Sequence, residues 1–384
     1  MVDVAVIGIG QTRVEEHWDK SLRELAGDAV LMAMHDAQVD HVDSIYIGNM
    51  MSGVANAQVQ LGSLIADWVG QRFTDAVKIE SACSSGAAAF RAGYIGVASG
   101  EVDVALVVGV EKMTDSPSNE ITAALATAAD GDWEVDQGVS FVALNALIMQ
   151  RYMYEYGWKG IDFANFSINA HANAVHNPFA RFRKPIDEKR FIQSPMICDP
   201  INLMDASPIG DGAAAAVLIR ADRLPKSAPK ILVAASSAAT DSISIHNRRS
   251  PLWLAAAERS ARQAYAQAGI ETEDIDVFEY HDAFTIMAAL SLEACGFAAA
   301  GRGPVLAKEG AIRIGGKIPV ATRGGLKARG HPVGATGMYQ IVEVVQQLRS
   351  EAGETQISGC EFGMAQSIGG SGSNIVTHIF KRDN

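Results

Sequence analysis

The sequence has only four cysteines among its 384 residues, Cys83, Cys198, Cys295 and Cys360. None sits in a Cys-x-x-Cys pair and no cysteine–histidine cluster has zinc spacing, so neither a disulfide framework nor a metal site is expected. No apolar run is long enough to span a membrane. Basic charge is not in excess: 32 lysines and arginines face 44 acidic residues, a formal net charge of −12. That balance argues against nucleic acid as the main partner. No basic lead with a cleavage site precedes the first strand pattern, Val2–Ile7, so the expected residence is cytoplasmic. Apolar residues are not scarce either. At 48% they exclude disorder, and this length allows two or three subdomains around a large core.

Against this background one cysteine stands out. Ala76–Ile79 reads as a strand and Ala87–Ala98 as a small-residue helix, with Glu80-Ser81-Ala82-Cys83-Ser84-Ser85-Gly86 between them. The first N–H groups of a helix lack internal partners and carry partial positive charge. A thiol at that point is expected to ionise more easily, and the thiolate is the nucleophile. An arbitrary cysteine is more often a small buried hydrophobe, so the rest of the chain has to decide.

The chain repeats itself. A strand, a helix (about Ser21 to Ala37), a strand (Val42–Asn49), a second helix near 59–69 and the Cys83 unit lead to a buried strand, Val102–Val110. Lys230–Ala234, Ala255–Ala268 and Asp274–Tyr280 restart the strand–helix–strand order. Ser207-Pro208-Ile209-Gly210-Asp211-Gly212 and Ser367-Ile368-Gly369-Gly370-Ser371-Gly372 are matching Gly-rich turns that feed strands. An internal duplication of a strand–helix unit follows, with two α/β halves, each built on a mostly parallel sheet, and turns converging on one cleft. Residues 114–205 break the pattern. They hold a helix pattern at 141–156 and the basic run Arg181-Phe182-Arg183-Lys184. Such an excursion suits a substrate cap or a dimer-stabilising element. The resulting division is 1–113 plus 206–225, 114–205, and 226–384.

Two histidines fall at strand-end turns of the second half. His281 follows the strand 274–280. His331 lies in Gly324-Gly325-Leu326-Lys327-Ala328-Arg329-Gly330-His331-Pro332-Val333-Gly334-Ala335-Thr336-Gly337, ahead of a helix at Met338–Leu348 that answers to the helix after Cys83. A cysteine with two such histidines suits acyl transfer through a thioester. Cys83 attacks an acyl carbonyl, His331 activates the thiol or holds an oxyanion, and His281 donates to a second oxyanion. Backbone N–H groups at Cys83 and the Gly369-Gly370 turn supply a further oxyanion hole.

Residues 79–90, 281–285, 324–337 and 365–374 together resemble the motifs of the thiolase superfamily, in order and over essentially the whole chain. The His-Asp-x-Phe turn, Glu111-Lys112-Met113-Thr114 and Asp205–Ala216 are similar to archaeal acetoacetyl-CoA thiolases and sterol-carrier-protein-type thiolases. The resemblance implies an α/β thiolase fold, with duplicated βαβαβαββ halves in a five-layered αβαβα arrangement and a loop-domain insertion. It implies a homodimer or tetramer, coenzyme A thioesters as substrates and no separate cofactor. The implied reaction is Claisen condensation of two acetyl-CoA, or the reverse thiolysis. It also implies, by analogy with archaeal members, a complex with 3-hydroxy-3-methylglutaryl-CoA synthase and a zinc-ribbon/OB-fold scaffold protein. Carried over by motif, Cys83 is the acylated nucleophile, His331 its activator and His281 the oxyanion donor in place of an asparagine. The Gly369 N–H pairs with that of Cys83, and Ser207 touches the pantetheine arm.

The chain also departs from the pattern. Ser367 stands where most thiolases have a second catalytic cysteine, and Ala283 where some relatives place one. Cys360 is seven residues from Ser367, about 20 Å along an extended chain, and Cys295 is expected to be packing. The α-proton base then falls to a histidine or a water held by one. Two further readings stay open: a decarboxylating ketoacyl synthase, which needs no such base, and a weakly active acyl-CoA-carrying subunit. Arg323 replaces a common serine, either near the mouth or on the surface. Arg181, Arg183, Lys184, Arg248 and Arg249 are the basic residues available to CoA phosphates.

Overall fold

The computed structural model describes residues 2–224 and 230–383. The expected boundary at 225/226 lies outside the described residues. In chain order the first part contains β1 (Val4–Gln11), α1 (Leu22–Ala37), β2 (Ser44–Gly48), α2 (Ser52–Ala55), α3 (Leu61–Trp68), β3 (Asp75–Ile79), α4 (Ser85–Ser99) and β4 (Val104–Glu111). An excursion follows with α5 (Ser118–Ala126), α6 (Phe141–Tyr156), α7 (Ala164–Ala174), α8 (Glu188–Ile192) and a short ribbon of β5 (Met196–Cys198) and β6 (Ile201–Asn202). The chain returns in β7 (Gly212–Arg220) and continues with β8 (Ile231–Thr240), α9 (Ala255–Ala268), β9 (Val277–Glu279), α10 (Thr285–Ala294), α11 (Gly303–Lys308), α12 (Thr336–Leu348), β10 (Phe362–Gly369) and β11 (Asn374–Arg382).

The duplication is written in the strand order, β3-β2-β4-β7-β1-β8-β11-β10-β9. Outward from the β1–β8 seam, each side gives first strand, last strand, penultimate strand, second strand. The two sides of the sheet are joined through Ala5↔Leu232 and Val6↔Ile231. In the second half β10 and β11 form a direct hairpin across Gly369–Ser373, whereas in the first half the equivalent β4–β7 pair is interrupted by residues 112–211. The expectation of mostly parallel sheets is corrected. β2 runs parallel to β3 and β4, and β9 to β10, but β4–β7, β1–β7, β8–β11 and β10–β11 are antiparallel. In the second half the short Gly-rich turn after β10 can only make an antiparallel pair, and β4–β7 keeps that direction although the long excursion separates its strands.

Strand alternation sorts the core into layers. Ala213, Ala215 and Val217 of β7 pack with α1 and α3, while Ala214, Ala216 and Leu218 face α4 and α12. In β8–β11, Val233, Ala365 and Phe380 face α4 and α12, while Ala235, Met364 and Ile379 face α9 and α10; a bulge at Ala234, opposite Ile379 and Phe380, breaks the alternation between Val233 and Ala235. Side chains two apart share a face, so the order of layers is α, β, α, β, α. The middle layer is α4 and α12, and both must be slim. A methyl on Gly337 would lie 2.5 Å from the Ala87 nitrogen, and one on Gly86 2.9 Å from the Gly334 carbonyl. The first turns of the two helices therefore touch. Among the described residues no helix is long and apolar enough to cross a membrane.

Candidate functional site

The meeting of α4 and α12 brings their leading turns together, and with them Cys83 and His331. Ala82, just before Cys83, has φ 48°, and Gly330, just before His331, has φ 108°. A left-handed alanine costs of order 1 kcal/mol, and hydroxyls hold it in place. Ser84 Oγ donates to the Ser81 carbonyl (2.6 Å), and Ser85 Oγ to the Ala82 carbonyl (2.6 Å). The Ser-Ser pair after the cysteine thus fixes the turn that presents it.

Cys83, Ser207, His281 and His331 line one cavity of about 120 Å³. Its other walls are mostly apolar: Leu125, Phe141 and Val142 come from the excursion, and Phe284, Met287 and Ile368 from the second half. Asn145, Ala206, Ile209, Ala283 and Gly370 complete it. The excursion therefore covers the cysteine, as a cap requires. Ser207 is fixed by its N–H to the Ala283 carbonyl, 2.8 Å. Gly369 packs directly on the cysteine turn, since a Cβ there would be 2.6 Å from the Ser81 carbonyl oxygen. Ser367 is buried with its hydroxyl toward the Cys83 carbonyl at 3.5 Å.

The histidine rings stand edge to face, centroids 5.2 Å apart. His331 Nδ1 is 2.7 Å from Thr336 Oγ1. His281 Nδ1 is enclosed without a partner. A bare ring nitrogen is cheaper to enclose than an unsatisfied N–H, so His281 favours the Nε2–H tautomer and becomes a donor. In His331, an Nδ1–H donating to Thr336 leaves Nε2 with a lone pair, the form of a base. Both rings are neutral. Burial lowers the His281 pKa to about 3, and burial, His281 and Arg329 take that of His331 well below its ordinary value.

The thiol corrects one expectation. Burial, reinforced by the negative charges of Glu111 and Glu80, pushes the Cys83 pKa up to about 12. Dehydration outweighs the helix N-terminus, and the resting group is a thiol with a neutral base nearby. Alkylation of the free protein at Cys83 by iodoacetamide is expected to keep accelerating through about pH 10, since the thiolate fraction rises tenfold per pH unit below the pKa. A plateau below about pH 8, near the ordinary cysteine range, would show a pre-formed thiolate and contradict this.

The arginines do not join the cavity. Arg248 is buried and donates to the Ser371 carbonyl (2.6 Å) and the Ser242 carbonyl (3.1 Å), propping the Gly-rich turn from behind. Arg249 is exposed. Arg183 lies in a separate groove with Arg181, Phe182, Lys184 and Arg190. Arg323 is neither at the mouth nor on the surface; it is buried, donating to the Ala352 carbonyl (3.0 Å) and to Asn177 Oδ1 (3.3 Å). Cys295 is packing, its thiol 3.3 Å from Gln366 Oε1. Thr336 and Asn145 are not legible in the sequence as site residues. Thr336 sits in a motif whose histidine draws attention first, and Asn145 is one polar residue in an otherwise ordinary helix.

Residues 2–222 match the family model of the thiolase N-terminal domain, and residues 237–382 that of the thiolase C-terminal domain-like family. An acetyl-CoA acetyltransferase of Methanothermobacter thermautotrophicus is 44% identical over 385 residues, covering 100% of each chain. One of Methanocaldococcus jannaschii is 38% identical over 389 residues, covering 99% of each. A solved structure, Ltp2-ChsH2(DUF35) aldolase, shares the fold with TM-score 0.86 at 23% identity, covering 100% of this chain and 98% of that one.

Proposed function

This chain belongs to the thiolase family and is an enzyme of the thiolase type, and from there we propose that it is an acetyl-CoA C-acetyltransferase, joining two acetyl-CoA into acetoacetyl-CoA through an S-acetyl-Cys83 intermediate. What carries the reading is the convergence of Cys83, His281 and His331 on one capped, largely apolar cavity. In the first half-reaction His331 Nε2 takes the thiol proton as sulfur attacks the acetyl carbonyl. His281 Nε2–H and the backbone N–H groups of Cys83 and Gly369 are the donors available to the oxyanions of the two steps. The tetrahedral intermediate collapses, and the departing CoA thiolate recovers the proton from His331. That leaves His331 neutral again. In the second half-reaction it takes an α-proton from a second acetyl-CoA, the carbanion attacks the thioester, and the Cys83 thiolate leaves and is reprotonated by His331. One base serves both halves because Ser367, a hydroxyl directed at the Cys83 carbonyl, is no substitute for a second thiol.

Supplying acetoacetyl-CoA and CoA should yield two acetyl-CoA. Consumption of malonyl-CoA with release of CO2 and no thiolysis would favour a decarboxylating synthase instead, the alternative that the serine at position 367 keeps in view.

The basic groove around Arg183 suits CoA phosphates. Charge reversal at Arg183 and Lys184 together should raise KM for CoA thioesters about 5- to 20-fold with kcat little changed, as lost uniform binding does. An unchanged KM would move the nucleotide elsewhere. The edge strand β3, half exposed, with Phe73 fully exposed beside it, suits pairing with a second copy in a homodimer or tetramer. The similar structure is an Ltp2-ChsH2(DUF35) aldolase, which supports a partner chain of that kind here; 3-hydroxy-3-methylglutaryl-CoA synthase as the third member is what the family resemblance adds. Copurification of the three chains tests it.

A further inference from the structure

Glu111 ends β4 and is completely buried. Its Oε1 accepts hydrogen bonds from Asn49 Nδ2 (2.9 Å) and the Met51 N–H (3.1 Å). Its Oε2 accepts from the N–H groups of Met50 (3.0 Å) and Gly334 (3.0 Å). Three donors belong to the first half. The fourth, Gly334, belongs to the second, three residues after His331 and two before Thr336, which fixes the His331 ring.

The His331 loop is wedged at this point. A Cβ on Gly334 would lie 2.6 Å from Glu111 Oε2, and the Gly334 carbonyl already abuts Gly86 at the start of α4. Met51, a partner of Glu111, and Val333, the neighbour of its partner Gly334, share one buried cluster with Cys83, Met113, Ile121 and Ala124. Glu111 itself is not among the residues lining the cavity. A carboxylate with four N–H donors is well satisfied although buried, so it is a rigid joint rather than a strained one.

We propose that Glu111 is a positioning residue for the proton transfer between Cys83 and His331: its carboxylate fastens the His331 loop of one half to the strand end beside Cys83 in the other, and when ionised sets a negative charge behind the thiol. The proposal rests on Cys83 and His331 acting as described above. Burial pushes the Glu111 carboxyl up to about 7, so its charge is present above that pH. Lys78, whose Nζ bonds Ser52 Oγ at 2.9 Å, offsets it, and Glu80 adds to it at the sulfur. The thiol is thereby held protonated until an acyl carbonyl and His331 are both in place, which guards it against adventitious alkylation or oxidation.

The test separates geometry from charge with two variants. Glu111→Gln keeps the shape but removes the charge and turns one acceptor into a donor facing an N–H. At about pH 8.5, where a cysteine of ordinary pKa is half ionised, it should lower kcat about 10- to 100-fold, the effect of losing an outer support of a reacting group, with KM for acetyl-CoA within about twofold. Alkylation of Cys83 by iodoacetamide should move the other way, about 3- to 10-fold faster at the same pH, because the charge opposing the thiolate is gone. Glu111→Asp keeps the charge but is too short to reach Gly334; it should lose kcat with the alkylation profile of the native protein. A wild-type kcat in Glu111→Asp overturns the proposal, as does a Glu111→Gln protein whose alkylation does not accelerate. Should Glu111→Gln not fold, as judged by thermal unfolding, Glu111→Asp alone decides. An inactive Cys83→Ala beside a fully active Glu111→Asp would refute only this inference, whereas an active Cys83→Ala would refute the chemistry on which it rests.

Discussion

Cys83→Ala is expected to lower thiolysis and condensation by about 10⁴-fold or more, since Cys83 is the one thiol among the residues lining the cavity. The protein should remain folded. The side chain lost is small, sits in a minor cluster beside Met51 and Val333 rather than in the main core, and borders a cavity that already exists. Stability should change by about 1 kcal/mol or less. CoA-thioester binding, measured by calorimetry, should persist within a few-fold, because the walls that hold the ligand are unchanged. Residual activity above about 1% of native, with binding intact, would mean that the acyl group travels by another route. Neither Cys295 nor Cys360 offers one. Both are buried, Cys295 behind α10 with its thiol on Gln366 and Cys360 in the central core, and burial pushes each pKa up to about 12.

The two histidines should separate sharply. His331→Ala is expected to cost about 10³- to 10⁴-fold in kcat, the upper range for a general base, because the same nitrogen serves the thiol proton and then the α-proton. His281 is asked only to donate one hydrogen bond. His281→Ala should cost about 10²-fold, the usual loss for one oxyanion donor. His281→Asn restores an N–H at nearly the same place and should recover most of that loss. A pH profile adds a second reading. Because burial holds His281 at about 3 and His331 well below its ordinary value, protonation of either ring should not produce an acid limb near the ordinary histidine value of about 6.5. If His331→Ala were no worse than His281→Ala, the base would have to be sought elsewhere, and a water bound to His281 would be next in line.

Much of the fold and of the site is legible in the residues themselves. The Gly-rich turns at 207–212 and 367–372, and the matching strand–helix phrases, announce the duplication, and the strand order reproduces it about the β1–β8 seam. Local pattern locates α6 at 141–156, behind its Ser140 cap, the small-residue helix after Cys83, and the helix after His331, whose apolar residues recur at helical spacing. What is not legible is what depends on distant partners. Strand direction is hidden because pattern fixes which face is buried, not which neighbour is chosen. The ionisation of Cys83 is misleading for a similar reason: the helix N-terminus is visible in the sequence, whereas the dehydration imposed by Val333, Met51 and the cap is not. Arg323 reads as a mouth or surface residue. It is buried against Ala352 and Asn177, 29 and 146 residues away along the chain. Glu111 is visible only as part of a family phrase, since three of its four donors are backbone N–H groups.

The most direct measurement is the intact mass of the protein after brief incubation with acetyl-CoA and rapid acid quenching. One added acetyl group, mapped by peptide sequencing to Cys83, absent from Cys83→Ala and discharged on adding CoA, is the predicted result. An unmodified wild-type mass, or an adduct that survives in Cys83→Ala, would contradict the acyl-enzyme on which the whole account depends.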